Sequence, residues 1–156
     1  MTQQIAGNAG VYAAFLDAAE RVLETMFFDS LCGEPLEAAP ATGSAYSIVK
    51  FRGSRAGRLE LTLDQGAAVT LASNFLGLDE RPSETEVEST VAELANMCCG
   101  AFLSRLEPRG HFDIDPPNVQ RLETPTEQGP WTMLPIEAGK LFWRLGWHAT
   151  GSTAHQ

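Results

Sequence analysis

The residues best suited to chemistry in this chain are Ser89, Glu93, Asn96 and Gly100. They lie in a stretch, 84–107, whose pattern predicts one long helix. At about 100° per residue the four fall within roughly 60° of one another, in a line down one face. Val87, Val91, Leu94 and Cys98 gather on the opposite side and account for the contact with a core. A carboxylate and a carboxamide one turn apart are therefore left facing outward. The carboxylate can pair with a cation. The carboxamide accepts through its oxygen and donates through its NH₂ while carrying no charge.

The surrounding sequence positions that helix. Ser83 with Glu86 reads as a capping box, Glu84, Glu86 and Glu88 suit the positive end of the helix, and Pro108 and Gly110 close it. An earlier amphipathic helix is predicted over 11–28, with Val11, Phe15, Ala18, Val22 and Met26 at helical spacing. Residues 29–44, rich in Pro, Gly, Ala and Ser, read as a surface connection. Strands over 46–51 and 58–64 form a hairpin around Gly53 and Gly57. In the second, Leu59, Leu61 and Leu63 point one way; Arg58, Glu60, Thr62 and Asp64 point to a wet or partner-facing side. A short helix over 67–76 ends at Gly77. Strands follow over 111–115, 119–123, 131–136 and 140–148, and 151–156 reads as a frayed tail. The expectation is one α+β domain over 1–150, with a mostly antiparallel sheet of about six strands and about three helices on one face.

Composition narrows the partners. The 156 residues are 44% hydrophobic and 20% charged, ordinary globular values. A formal charge of −9 argues against nucleic acid and against an anionic membrane surface. No run approaches the ~18 apolar residues of a membrane span, and the N-terminal residues lack a secretory pattern, so the reading is a cytoplasmic protein without membrane insertion. Cys32, Cys98 and Cys99 form no disulfide framework, and the adjacent pair lacks the C-x-x-C spacing of a zinc site. His111, Asp113 and Asp115 alternate on a strand and read as a solvated face. Trp143 and Trp147 share a face with Leu141 and Leu145, which suits the core or a subunit interface. His148 and His155 have no nucleophile nearby, so a Ser–His arrangement is unsupported.

A bare Glu-x-x-Asn is a weak signal, arising by chance in roughly a third of chains this long. Its context is more specific. The run Ser89-Thr-Val-Ala-Glu93-Leu-Ala-Asn96-Met-Cys-Cys-Gly100, with Pro117 downstream, resembles the signature of the CheC/CheX/FliY response-regulator phosphatases. Phe51-Arg-Gly53 through Gly57-Arg-Leu-Glu-Leu resembles the family's glycine-linked hairpin, and Leu71-Ala-Ser-Asn-Phe-Leu-Gly77 its short second helix. Phe112-Asp-Ile-Asp-Pro-Pro117 and Leu134-Pro135-Ile-Glu-Ala-Gly139-Lys-Leu resemble the strands that follow. The likeness spans most of 45–148 and is nearest to CheX. CheC-type members carry a second Glu-x-x-Asn on the first helix; here that helix offers Glu20-Arg-Val-Leu23, which implies one site per chain and makes Glu20 and Glu24 ordinary exposed residues.

The resemblance implies a single CheC-like domain that hydrolyses the aspartyl phosphate of a CheY-like receiver. It implies no cofactor of the chain's own, with Mg²⁺ supplied by the receiver. Asn96 would orient the attacking water and Glu93 would pair with the receiver's lysine. Ser89 and Gly100, both small, would let the partner approach, and Pro117 would be structural beside the site. A homodimer is also implied. The competing readings are a non-catalytic adaptor of the same fold, binding a response regulator or a motor or chemoreceptor component, and an unrelated α+β interaction domain.

Overall fold

The computed structural model describes residues 9–123 and 130–147. Helix α1 (Ala9–Met26) leads to a short strand β1 (Leu36–Glu37) and the hairpin β2 (Ala45–Gly53) and β3 (Gly57–Leu63). Helices α2 (Gln65–Leu76) and α3 (Glu84–Leu106) follow, then strands β4 (Phe112–Ile114), β5 (Asn118–Arg121), β6 (Thr132–Ile136) and β7 (Gly139–Trp147). The strands form one antiparallel sheet in the order β1-β6-β7-β3-β2-β4, with β5 also paired to β2. The tail 151–156 and both His148 and His155 lie outside the described residues.

Local chemistry explains the helix ends. Asp64 caps α2 by accepting from Ala67 N at 3.0 Å, and Gly77 ends it with φ of 67°, a left-handed turn that costs glycine nothing. The capping box of α3 is formed: Ser83 Oγ accepts from Glu86 N at 3.1 Å, and Glu86 Oε1 accepts from Ser83 N at 2.8 Å. At the end of α1 the residue in the left-handed conformation is Phe28, at φ 55°, and Asp29 N donates to Leu23 O at 3.1 Å. That is a Schellman ending without its usual glycine, which is why no glycine marks it in the sequence.

All three helices pack on one face of the sheet. Phe15 of α1 stacks on Trp143 of β7 with ring centroids 3.9 Å apart, and Phe102 of α3 meets Phe15 edge-on. Val49, Leu59, Leu61, Leu141 and Leu145 complete the sheet side of this core. Each such large side chain contributes about 1.5–3 kcal/mol on burial.

Two expectations are corrected. The 29–44 connection is not all loop: Leu36 pairs with Met133 and Glu37 with Thr132, adding a seventh strand at the edge. Nor is the far face of β3 wet, since Glu60 and Thr62 are 2% and 0% exposed. A second small core of Leu122, Trp131, Met133 and Phe142 sits on that face, with Tyr46 and Ala38 against it. Glu60 is tolerated there because Arg144 Nε reaches it at 2.5 Å and Arg58 at 2.8 Å, and Arg144 lies over the Trp131 ring at 4.3 Å. Asp64 is absorbed by the α2 cap. Trp143 belongs to the main core, and Trp147, half-buried, packs edge-on against Phe51.

Candidate functional site

Helix α3 buries Val87, Thr90, Val91, Leu94, Ala95, Cys98, Cys99, Phe102 and Leu103 against α1, α2 and the sheet. The opposite arc carries the line predicted from the sequence. Ser89 and Glu93 are exposed, and Asn96 and Gly100 are half-buried. Among the described residues, the side chains of Glu93 and Asn96 make no hydrogen bond or ion pair. Both are therefore available to another molecule, on a helix whose opposite face is buried.

The helix is fixed at both ends by groups distant in sequence. At its start Arg121 of β5 donates through Nη2 to Glu84 Oε2 at 2.6 Å and also to Glu88 Oε2, and through Nη1 to Gly43 O at 3.3 Å. At its end Glu107 accepts from Ser54 Oγ at 2.5 Å and pairs with Arg55 Nε at 2.9 Å. The β2–β3 hairpin can reach over because its glycines permit contact: a Cβ at Gly53 would sit 2.1 Å from His111 O, and one at Gly57 2.3 Å from Gly146 O. Neither anchor was visible in the sequence, because nothing local pairs residue 121 with 84 or 54 with 107.

Gly100 borders β4. A Cβ built there would meet only Ile114 Cδ1, at 4.0 Å, an ordinary contact. Internal packing therefore does not require glycine at this mid-helix position. Pro117, half-buried, lies in the link between β4 and β5. Asp115 N still donates to Lys50 O at 2.9 Å; Pro116 and Pro117 have no N–H to donate, and the ladder resumes at Asn118 opposite Ile48.

Other sequence candidates fall away from this site. On α1 Glu20 and Glu24 are exposed, but Leu23 is fully buried and points into the core. Cys98 and Cys99 are buried, which pushes the Cys98 thiol pKa up and raises that of Cys99 to about 12, so both are small apolar fillers. Asp115 pairs with Arg52 at 3.1 Å, while His111 and Asp113 are exposed. Among the described residues no group of acidic, histidine or cysteine side chains could hold a metal, and no helix is long and apolar enough to cross a membrane.

A cavity of about 750 Å³ opens between α2, the start of α3 and residues 39–45, with Val69, Val87, Arg81 and Lys140 in its wall. Glu93 and Asn96 do not line it. An exposed pair of this kind cannot exclude water by itself, so chemistry there requires a second macromolecule to cover it.

The chain matches the family Chemotaxis phosphatase CheX over residues 45–127. Among solved structures it is similar to the chemotaxis protein CheX of Vibrio vulnificus, at 26% identity and a TM-score of 0.69, covering 88% of this chain and 99% of that one. A CheC-like superfamily protein of a Shewanella species is similar at 24% identity and a TM-score of 0.70, covering 91% and 99%. The CheX–CheY–BeF₃–Mg²⁺ complex of Borrelia burgdorferi is similar at 22% identity and a TM-score of 0.66, covering 89% and 98%. No curated protein matches the chain by sequence.

Proposed function

Because this chain belongs to the CheX family of chemotaxis phosphatases, we propose that it hydrolyses the aspartyl phosphate of a CheY-like response regulator through α3. The observation that carries this reading is the Glu93–Asn96 pair, outward-facing and unpartnered among the described residues, on the exposed arc of α3. A CheX of Borrelia burgdorferi forms a complex with CheY, beryllofluoride and Mg²⁺. Beryllofluoride stands there for the phosphoryl group, so that protein engages a receiver in its phosphorylated state.

The chemistry follows from what a receiver leaves undone. Its Mg²⁺ and lysine already stabilise the phosphoryl charge, and the missing contribution is a water held in line with the P–O bond. Positioning of this kind is worth several kcal/mol. Asn96 accepts a hydrogen bond from that water and donates to a phosphoryl oxygen; a carboxylate in its place would be repelled. Glu93, one turn earlier, pairs with the receiver's lysine and sets the helix in register. Ser89 and Gly100 keep the face low enough for the partner to approach, and Pro117 holds the β4–β5 link. The chain needs no cofactor of its own, since the receiver brings Mg²⁺. It acts in the cytoplasm as a homodimer; sedimentation gives the oligomeric state.

The deciding experiment follows the decay of an acyl-phosphorylated receiver with Mg²⁺, alone, with this protein, and with its Asn96→Ala and Glu93→Ala variants. Acceleration that disappears in folded Asn96→Ala, while binding to beryllofluoride-loaded receiver persists, supports the assignment. Glu93→Ala should weaken binding and turnover together, by about tenfold each. Binding without any acceleration by the unmodified protein would instead identify an adaptor.

A further inference from the structure

Helix α3 distributes its charge unevenly. Glu84, Glu86 and Glu88 crowd its first turns, whereas from Ser89 to Ser104 the one charged residue is Glu93. Glu86 is spent on the capping box. Glu84 and Glu88 are both gripped by Arg121, whose guanidinium is held from the other side by Gly43 O. Glu88 immediately precedes Ser89, the first residue of the exposed line. At 1.5 Å per residue it lies about 12 Å along the helix from Asn96. That is close to the screening length of about 10 Å at moderate salt.

We propose that Arg121 is a specificity-determining residue that acts by charge masking: it pairs with both Glu84 and Glu88 and offsets one of their two negative charges, so that the α3 face admits a phosphorylated, metal-bearing acidic site. The inference rests on the phosphatase reading and extends it to a residue on another strand. An aspartyl phosphate carries about two negative charges at neutral pH, and the one or two carboxylates that hold its metal roughly balance the metal's own charge. The approaching surface is therefore anionic, and this chain has a formal charge of −9. Unmasked, Glu88 and Glu84 would raise the cost of encounter through their field, since they lie about 100° and 140° around the helix from the exposed line. They would do so without touching Glu93 or Asn96.

The test separates masking from mechanical support. Arg121→Gln is compared with the triple variant Arg121→Gln/Glu84→Gln/Glu88→Gln, at low and at high salt. Two readouts are followed: turnover of an acyl-phosphorylated CheY-like receiver, and binding of the same receiver loaded with beryllofluoride and Mg²⁺. Masking predicts that Arg121→Gln raises KM about three- to tenfold at low salt and leaves kcat unchanged. The loss should shrink at high salt, and the triple variant, one negative charge lighter than the unmodified trio, should show a KM at or below the unmodified protein's although it lacks the clamp. If the triple variant stays as impaired as Arg121→Gln, or if kcat falls instead of KM rising, Arg121 is a strut for α3 and the proposal is overturned. An unchanged, salt-independent Arg121→Gln also overturns it. If the unmodified protein gives no acceleration, the phosphatase reading fails, and the salt dependence of receiver binding still decides the mask.

Discussion

Helices α1 and α3 lie against each other on the same face of the sheet, and each presents a glutamate followed three residues later by a residue that decides its fate. On α3 the pair is Glu93 and Asn96, both reaching solvent; on α1 it is Glu20 and Leu23, the second fully buried. The helices thus differ in rotation about their axes as much as in one residue. Residues three apart are separated by about 60° around a helix, so both can face outward only when the pair is centred on the exposed arc. On α3 it is centred there. On α1 it straddles the boundary, and the fourth residue of the motif is committed to packing.

The strongest test of that contrast is Asn96→Ala on α3. It should reduce receiver dephosphorylation on the order of 100-fold or more. Unfolding free energy should move by less than about 0.5 kcal/mol, because the side chain has no internal partner. The mirror experiment is Leu23→Asn, which writes the missing motif into α1. Denaturant unfolding should report a loss of roughly 2–5 kcal/mol from the lost apolar volume and the buried amide, with no gain of turnover. A second active site in a stable Leu23→Asn protein would break the comparison.

Gly100→Ala sharpens it further, because stability and function should move in opposite directions. The added methyl has room beside Ile114 and removes a mid-helix glycine, so stability should rise by about 0.5–1 kcal/mol. Affinity for the receiver should fall, measured by titration with beryllofluoride-loaded CheY. The smallest effect belongs to the end of α1, where burial and the neighbouring Glu137 raise the pKa of Asp29, partly offset by hydrogen bonds from the Ala138 and Ser30 backbone. A raised acid binds its proton more tightly when folded. Its contribution to stability is therefore present at low pH and is lost as pH rises through the folded pKa. Asp29→Asn should accordingly unfold at a slightly higher temperature than the parent at neutral pH, with the gap closing below about pH 4.

The parts of this molecule that were legible share a cause. The Ser83–Glu86 box, the Asp64–Gly77 bounds of α2 and the Gly53–Gly57 hairpin are made by residues within a few positions of one another. The misread parts are non-local. The alternation in β3 showed two kinds of side chain but not that Trp131 and Leu122 cover the polar side, nor that Glu60 has Arg144 for a partner 84 residues away. Likewise β1 exists only because β6 lies beside it, and Phe28 takes the left-handed turn because α1 must end there against α2, where Phe27 stacks on Phe75.

By itself, then, the sequence determined the angular line of Ser89, Glu93, Asn96 and Gly100, the residues that cap their helix, and the likeness that suggests what they do. These are set by helical periodicity and by hydrogen bonds spanning three or four residues. Tertiary structure alone decided that Leu23 is buried, that the far face of β3 is covered, and that Arg121 holds two carboxylates 33 and 37 residues away. Those outcomes depend on which surfaces the folded chain brings together, and no short stretch of sequence contains that information.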